Sequence, residues 1–371
     1  MPLHSPVPSD RCLGILSNEG TMKTIHPVII GIDTHKTTHV AVAIDTQGTR
    51  LAALSIPTNP TGYLELERWS RSLGEVLAFG IEGTGSYGAG LSRSLLAQGH
   101  NVIEVTRPNR QLRYTHGKTD SLDAEGAARS VLSGQATARP KTQTGSSEMI
   151  RHLKIVRDTA VKSRSQAMVT LKTLIINAPA YLRDSLDEIR GKVALIRQIA
   201  AFRPGEIDNT LASAKAAMRA LARRWLWLHE EITAHDKELE RLVRDRAPAL
   251  MASHGIATLT VAEMLILVGD DPTRIHSEAA FAKLCGVCPI PASSGRTHWF
   301  RLNRGGNRQA NAALYRVAIV RMRSHEPTLA YVKKRTKDGK SKSEIIRCLK
   351  RYIVREIYSQ LCVSKSAQIA P

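Results

Sequence analysis

The sequence predicts an α/β N-terminal domain built on a mixed sheet, a helical coiled-coil middle and a mostly α C-terminal domain. Three observations indicate this order. Between residues 28 and 105, short β-branched segments come first and then alternate with helical ones. From residue 211 to residue 242, apolar residues follow an unbroken three-four spacing. Beyond Pro248, helical segments carry a large surplus of Lys and Arg.

The chain has 371 residues, more than one typical domain needs. We expect a disordered extension at 1–22, where Pro, Ser and Gly occur without periodicity and Met22 is an alternative start. The other predicted segments are a catalytic domain at 23–140, a helical connector at 146–247, a C-terminal domain at 248–358 and a tail at 359–371.

In the first domain, predicted strands at 28–33, 38–45 and 51–56 are joined by short turns and form an antiparallel meander. A helix at 61–72, a strand at 76–81, a helix at 87–98 and a strand at 101–105 follow. Such an order describes a mixed sheet covered by helices, and it fits a ribonuclease H-like fold.

The middle segment contains the clearest periodicity of the chain. Its members are Leu211, Ala214, Met218, Leu221, Trp225, Leu228, Ile232, His235, Leu239 and Leu242. Two arrangements satisfy such a seam: a coiled coil with a second copy, or a hairpin with the basic helix predicted at 146–177 of the same chain.

The C-terminal domain is strongly basic. Residues 296–356 contain 17 Lys and Arg against 4 Asp and Glu, a net charge of +13, so most nucleic-acid contact is expected there. Upstream, 254–270 resembles a helix-hairpin-helix, in which backbone N–H groups hold a phosphate. Cys285 and Cys288 lack the second cysteine pair of a zinc ribbon and are interpreted as core residues.

Charge selects the partner. The whole chain has 53 Lys and Arg against 33 Asp and Glu, a net charge of +20, which favours nucleic acid. We expect no membrane association, because no apolar stretch approaches the roughly 18 residues of a spanning helix. Five irregularly spaced cysteines indicate a reducing compartment, and hence the cytoplasm. At 4% aromatic residues, base stacking is not expected to be the main way of holding strands.

Four acids stand at positions typical of a metal site. Asp33 and Glu82 end apolar strands, and Asp120 and Asp123 share one face of a helix starting near Ser121. Each acid alone is more simply a turn or cap residue, but together they favour Mg²⁺, which prefers carboxylate and phosphate oxygens.

Other polar residues follow Asp33 closely. His35 and His39 are given little weight as ligands, because imidazole suits zinc better than magnesium, and His39 is expected to pack or face water. Lys36 is a candidate contact to a DNA phosphate.

A candidate nucleophile lies in the segment 289–297, Pro-Ile-Pro-Ala-Ser-Ser-Gly-Arg-Thr, which is expected to be an exposed loop leading to a helix near Gln309. A serine hydroxyl among phosphate-holding arginines could attack DNA. On composition alone a polar turn is the simpler interpretation. The candidate nucleic-acid contacts are Arg296, Arg301, Arg304 and Arg308.

Four blocks, in this order, resemble the DEDD transposases of bacterial insertion sequences, which are described as bridge-RNA-guided serine recombinases with a RuvC-like N-terminal domain. The blocks are Gly31-Ile-Asp-Thr-His-Lys36, Glu82-Gly-Thr-Gly-Ser-Tyr-Gly88, Gly117-Lys-Thr-Asp-Ser-Leu-Asp-Ala-Glu125, and Pro291-Ala-Ser-Ser-Gly295 with Asn303-Arg-Gly-Gly-Asn-Arg308. The resemblance spans residues 22–358.

The resemblance implies that the four acids form a metal-binding tetrad and that Ser294, with Ser293 as the alternative, forms a covalent phosphoserine link to DNA. It further implies cutting and rejoining of double-stranded DNA at element ends and target, with a structured guide RNA. It also implies a dimer or tetramer joined by the coiled coil, in which one protomer's serine completes another's carboxylate site.

Three other functions compete. A structure-selective nuclease resembling a junction resolvase would use the same acids with water as the nucleophile. A sugar kinase or actin-like ATPase begins its sheet similarly, but its phosphate-binding glycine loops are missing and the +20 charge argues against it. A catalytically silent RNA-binding protein would not need intact acids.

Overall fold

The computed structural model describes residues 26–106 and 119–363 and divides into two compact units, 1–143 and 144–371. The extension predicted at 1–22, the residues Gly117 and Lys118, and the end of the tail from 364 onward lie outside the described residues. Each unit is described by itself.

The first unit is built on one sheet. Its elements are β1 (Pro27–Thr34), β2 (Thr38–Asp45), β3 (Arg50–Pro57), α1 (Pro60–Leu73), β4 (Glu75–Glu82), α2 (Ala89–Ala97), β5 (Val102–Val105) and α3 (Asp120–Leu132). The strand order is β3-β2-β1-β4-β5, with β1–β2 and β2–β3 antiparallel and β1–β4 and β4–β5 parallel. The predicted mixed sheet is confirmed, and its strand order is compatible with a ribonuclease H-like fold.

Both faces of this sheet are covered, as the alternation of β1 requires. Ile30 and Ile32 are fully buried in a cluster with residues of α1 and α2, such as Leu66 and Leu91. Ile29 lies on the opposite face, in a cluster with α3. The central strand is therefore apolar on both faces up to Asp33, one residue before it ends at Thr34.

The second unit is helical. Its elements are α4 (Ser146–Ile176), α5 (Ala180–Asp187), α6 (Lys192–Ala200), α7 (Thr210–Arg246), α8 (Pro248–Met251), α9 (Thr258–Val268), α10 (Glu278–Leu284), β6 (Ile290–Pro291), β7 (Phe300–Arg301), α11 (Arg308–Ser324), α12 (Glu326–Lys337) and α13 (Lys342–Tyr358). Short 3₁₀ and π turns lie at Pro272–Arg274 and Ser359–Val363.

The apolar seam of α7 packs on α4 of the same chain. Met218 and Trp225 share a core cluster with α4 residues, and Leu228 and Ile232 pack with Ala160. The two helices run antiparallel, since Arg157 pairs with Asp236 at 2.8 Å while Arg164 lies 2.9 Å from His229. This is the intramolecular hairpin of the two predicted arrangements, and a coiled coil between chains stays a prediction.

The segment expected to resemble a helix-hairpin-helix has α8, a turn in which Gly255 adopts φ +75°, and then α9. Arg321 on α11 is 8% exposed, donates to the His254 carbonyl at 2.8 Å, and pairs with both carboxylate oxygens of Glu356 at 2.7 and 2.9 Å. Cys285 is fully buried and Cys288 partly buried. Within residues 26–106 and 119–363, no helix has the length and apolarity that a membrane crossing requires.

Candidate functional site

The candidate site lies at the sheet edge where β1 and β4 end. These strands are parallel neighbours in register, with Ile32 opposite Ile81, so the residues that follow, Asp33 and Glu82, stand side by side. The Thr34 hydroxyl donates to the Glu82 carbonyl at 2.8 Å and ties the two strand ends together.

The third and fourth acids arrive on α3. Thr119 is the N-cap, its hydroxyl accepting from the Leu122 amide at 3.3 Å, and Asp120 and Asp123 occupy the first turn. Carboxylates are stabilised at that end by the helix dipole. The helix lies directly on the backbone of β1, because a Cβ added to Gly31 would be 2.0 Å from the Ala124 carbonyl oxygen. Only glycine at this point lets α3 carry its acids to the edge.

The closest group of metal-ligating atoms is Asp33, His35 and Asp120, which offer atoms all within 4.8 Å of one another. His35 Nε2 lies 3.2 Å from Asp33 Oδ2 and 3.3 Å from Asp120 Oδ1. Among the described residues, Asp123 and Glu82 are not members of this group, although the charge of Asp123 acts on Asp33. The four acids are thus gathered at one sheet edge, but they do not form one uniform cluster.

The negative charge of Asp33 is destabilised at this position. The residue is 8% exposed, and burial raises the pKa of its carboxyl group. His35 acts in the opposite direction, while the charges of Asp123 and Asp120 raise the pKa of Asp33 further. Acidic groups that repel one another in a buried place are the usual sign of a cation site.

The donor set fits a divalent cation. Carboxylate oxygens are hard ligands, and α3 delivers two of them beside the buried Asp33. The imidazole of His35 lies between the carboxylates of Asp33 and Asp120. A cation bound by these carboxylates would relieve the repulsion between them.

The neighbours of Asp33 behave differently from one another. His39 is fully buried and stacked on Tyr63 with ring centroids 6.1 Å apart, so the prediction that it packs is confirmed. Lys36 is exposed in the turn after β1. His35, which sequence reasoning weighted low, belongs to the cluster. The sequence feature that indicates a role for His35 is its position two residues after Asp33, just past the end of β1.

The serine doublet lies in the second unit at the tip of a β-hairpin rather than in an irregular loop. Ser294 and Thr297 exchange backbone hydrogen bonds of 3.1 and 3.0 Å, and Gly295 adopts φ +54° in the turn between them. Both serines are exposed. Ser294 is bridged to Thr297, whereas Ser293 belongs to no strand.

The predicted arginines follow the hairpin. Arg296 is exposed in its turn, Arg301 belongs to β7, and Arg308 opens α11 after the N-cap Asn307. Arg301 and Arg304 line a large cavity of this unit. The structure places these side chains on one exposed stretch without assigning their ligand.

Comparison with known proteins gives two family matches. Residues 30–176 match the model of a DEDD transposase domain, described as a transposase, and residues 247–333 match the transposase IS116/IS110/IS902 family. Together these ranges make up more than half of the chain. The first match contains the candidate acids, and the second contains the serine hairpin.

Two curated proteins are similar over nearly their whole length. The 44.8 kDa protein of insertion element IS116 from Streptomyces clavuligerus is 25% identical over 92% of this chain and 96% of its own. The 42 kDa protein of insertion element IS900 from Mycobacterium paratuberculosis is 23% identical over 90% of this chain and 96% of its own.

Proposed function

Since the chain belongs to the IS116/IS110/IS902 family of insertion-element transposases, we propose that it cuts and rejoins double-stranded DNA at the element ends and the target. The observation that carries the proposal is the convergence of the buried Asp33 and the exposed Asp120, which lie far apart in sequence, on one sheet edge beside His35.

We assign Asp33, Glu82, Asp120 and Asp123 to hold Mg²⁺. Bound there, the ion supplies Lewis-acid stabilisation of charge on the reacting phosphate. Asp33 is fixed by burial on β1, and the capped N-terminus of α3 fixes the direction of Asp120 and Asp123. These side chains are preorganised, so little rearrangement is needed before DNA binds.

The nucleophile in this proposal is the Ser294 hydroxyl, with Ser293 as the alternative. Its oxygen attacks a DNA phosphorus, a serine–phosphate ester forms, and the bond from phosphorus to one deoxyribose oxygen breaks. The serine loses its proton, and the leaving oxygen gains one and becomes a hydroxyl. Attack on the ester by a hydroxyl of another strand end reverses these changes and rejoins the DNA.

Contacts to the DNA backbone come from Lys36 in the first unit and from four arginines in the second. The arginines are Arg296, Arg301, Arg304 and Arg308. The net charge of +20 supports this assignment, since each neutralised phosphate releases a counterion. Phosphate contacts position DNA without reading its sequence.

A structured guide RNA selects the DNA sequences that are cut, by pairing with donor and target DNA. The protein acts as a dimer or tetramer. A protein whose specificity is supplied by base pairing needs mainly backbone contacts. The RNA claim is tested by sequencing the RNA that copurifies with the full chain. Recovery of one defined structured RNA supports guidance, and random cellular fragments would contradict it.

The function as a whole is tested by a strand-exchange assay with plasmids that carry the element ends and the target. We expect Asp33→Ala with Asp120→Ala to abolish exchange while DNA retention in a gel-shift assay persists. Exchange at the wild-type rate would contradict the metal assignment. DNA cleavage by the wild-type protein without a covalent adduct would favour water as the nucleophile, as in a junction-resolving nuclease.

A further inference from the structure

A cavity of about 1200 Å³ lies in the described part of the second unit. The hairpin and the following Asn303–Gly305 stretch form one wall, and α12 and α13 form the other. We call this cavity the hairpin groove. It begins at the base of the hairpin whose tip carries the serine doublet, so a strand lying in it would leave toward the proposed nucleophile.

Both walls of the hairpin groove carry a surplus of positive charge, although Glu344 also lines it and interacts with Arg347. Arg301 and Arg304 on the hairpin wall and Arg347 on α13 are exposed, and within the described ranges none of the three has a carboxylate within ion-pairing distance. Lys350 between them donates to Asn311 at 2.8 Å, and burial, with Arg347 adding to it, lowers the pKa of Lys350. A groove of this kind attracts phosphates to both sides.

Exposed aromatic rings line the same groove. Trp299 is 57% exposed, Phe300 64% and Tyr352 52%. The Tyr352 ring is held in place by the edge of Tyr331, with centroids 5.4 Å apart at 82°, and by the Arg355 guanidinium 6.0 Å from its centre. A half-exposed aromatic ring beside phosphate-binding cations is the arrangement on which unpaired bases stack.

We propose that the hairpin groove binds unpaired nucleotides of a polynucleotide strand, with phosphates on Arg301, Arg304 and Arg347 and a base stacked on Tyr352. Paired bases within a duplex hide their faces, so the exposed rings favour an unpaired segment. The inference rests on the proposed function and deepens it. The low aromatic content predicted otherwise, but the fold concentrates three of the few exposed rings in one place.

The test measures binding of the full-length, RNA-free protein in the Ser294→Ala background, where chemistry is absent. Binding of labelled single-stranded DNA, single-stranded RNA and blunt duplex DNA is compared by fluorescence anisotropy. Each probe is about 12 nucleotides or base pairs long, which lies within the ~4–16-nucleotide size of single-strand sites. The DNA and RNA arms distinguish the two sources of unpaired strand. A 2-aminopurine base in each single strand reports stacking by fluorescence quenching.

We expect Tyr352→Ala to weaken single-strand binding about 5- to 100-fold, as loss of one stacked base does, and to remove the quenching. Tyr352→Phe should retain both the single-strand affinity and the quenching. Tyr181 is an exposed ring on α5, and the matched control Tyr181→Ala should change neither quantity. Arg347→Gln lowers the slope of log affinity against log salt by about 1. Unchanged circular dichroism establishes that each variant is folded, and Tyr352→Leu replaces the alanine variant if it is not.

Equal losses for duplex and single strand, or quenching that survives Tyr352→Ala, would overturn the stacking proposal and leave only a backbone site. A change in oligomeric mass with unchanged nucleic-acid binding would overturn it in favour of a protein contact. Failure of the proposed function gives a different result, because a wild-type protein that forms no adduct can still prefer unpaired strands.

Discussion

Gly31 and Ala124 are in backbone contact: a Cβ on Gly31 would lie 2.0 Å from the Ala124 carbonyl oxygen. The same added atom would lie 2.4 Å from the Ala128 amide. This contact seats α3 on β1 and so sets the distance between Asp120 on the helix and Asp33 on the strand.

Replacement of Gly31 by Ala must therefore move the helix. We expect Gly31→Ala to cost about 1–3 kcal/mol of unfolding free energy, as overpacking does. Strand exchange should fall on the order of 100-fold, because the carboxylates are displaced. Urea unfolding and the exchange assay measure the two effects. Gly85→Ala, where nothing lies within 4 Å of the added atom, is the control, and equal behaviour of the two variants would show that the contact does not position the site.

Asp33→Asn separates metal binding from folding. Burial and the neighbouring acids raise the pKa of Asp33 in the folded protein. Once the pH exceeds the pKa that this carboxyl group has in the unfolded chain, its negative charge lowers the free energy of unfolding. Metal-free Asp33→Asn should therefore be more stable than the wild type at neutral pH. We also expect it to lose the rise in melting temperature caused by Mg²⁺, and to lower exchange by more than the ~10–100-fold typical of outer-shell changes.

Thermal melts with and without Mg²⁺ measure the melting temperature of Asp33→Asn and its rise on addition of the ion. The exposed Glu65→Gln on α1 should keep the wild-type response. A metal-dependent stabilisation that persists in Asp33→Asn would remove Asp33 from the proposed ligand set.

The serine doublet makes a pairwise prediction. Ser294→Ala should eliminate the covalent protein–DNA adduct on denaturing gels, whereas Ser293→Ala should retain it, since the proposal assigns the attack to Ser294, the serine bridged to Thr297 beside Gly295. Both residues are exposed, so neither change should alter stability by more than about 0.5 kcal/mol. The reverse pattern would assign the attack to Ser293.

The pair of the buried Arg321 and the partly buried Glu356 predicts a loss of stability when it is broken. Arg321→Ala leaves the Glu356 carboxylate and the His254 carbonyl without their guanidinium partner, and breaking such a pair costs about 3 kcal/mol. The exposed pair of Arg241 and Glu238 offers the control, because Arg241→Ala should leave the free energy of unfolding nearly unchanged. Similar urea midpoints for the two variants would contradict the structural role of Arg321.

Much of the first unit could be predicted from local sequence. The strand predicted at 38–45 has the observed bounds, and the others differ by one residue at one or both ends, because alternation and turn residues act over a few neighbours. The positions of Asp33 and Glu82 at parallel strand ends were predicted for the same reason.

Other features needed the fold. The membership of His35 in the acid cluster depends on α3, whose N-terminus brings Asp120 within 3.3 Å. The partner of the α7 seam within this chain is α4, which periodicity alone left open between two arrangements.

The amino-acid sequence by itself thus determined the mixed sheet, the long seam, the acids at strand ends and the strong positive charge, because each arises from neighbours along the chain or from composition. Only the tertiary structure decided which residues come together: His35 with Asp33 and Asp120, Gly31 with Ala124, and Tyr352 with the hairpin around one groove. The physical reason is that these contacts join segments far apart in the chain, and close packing rather than local preference sets their distances.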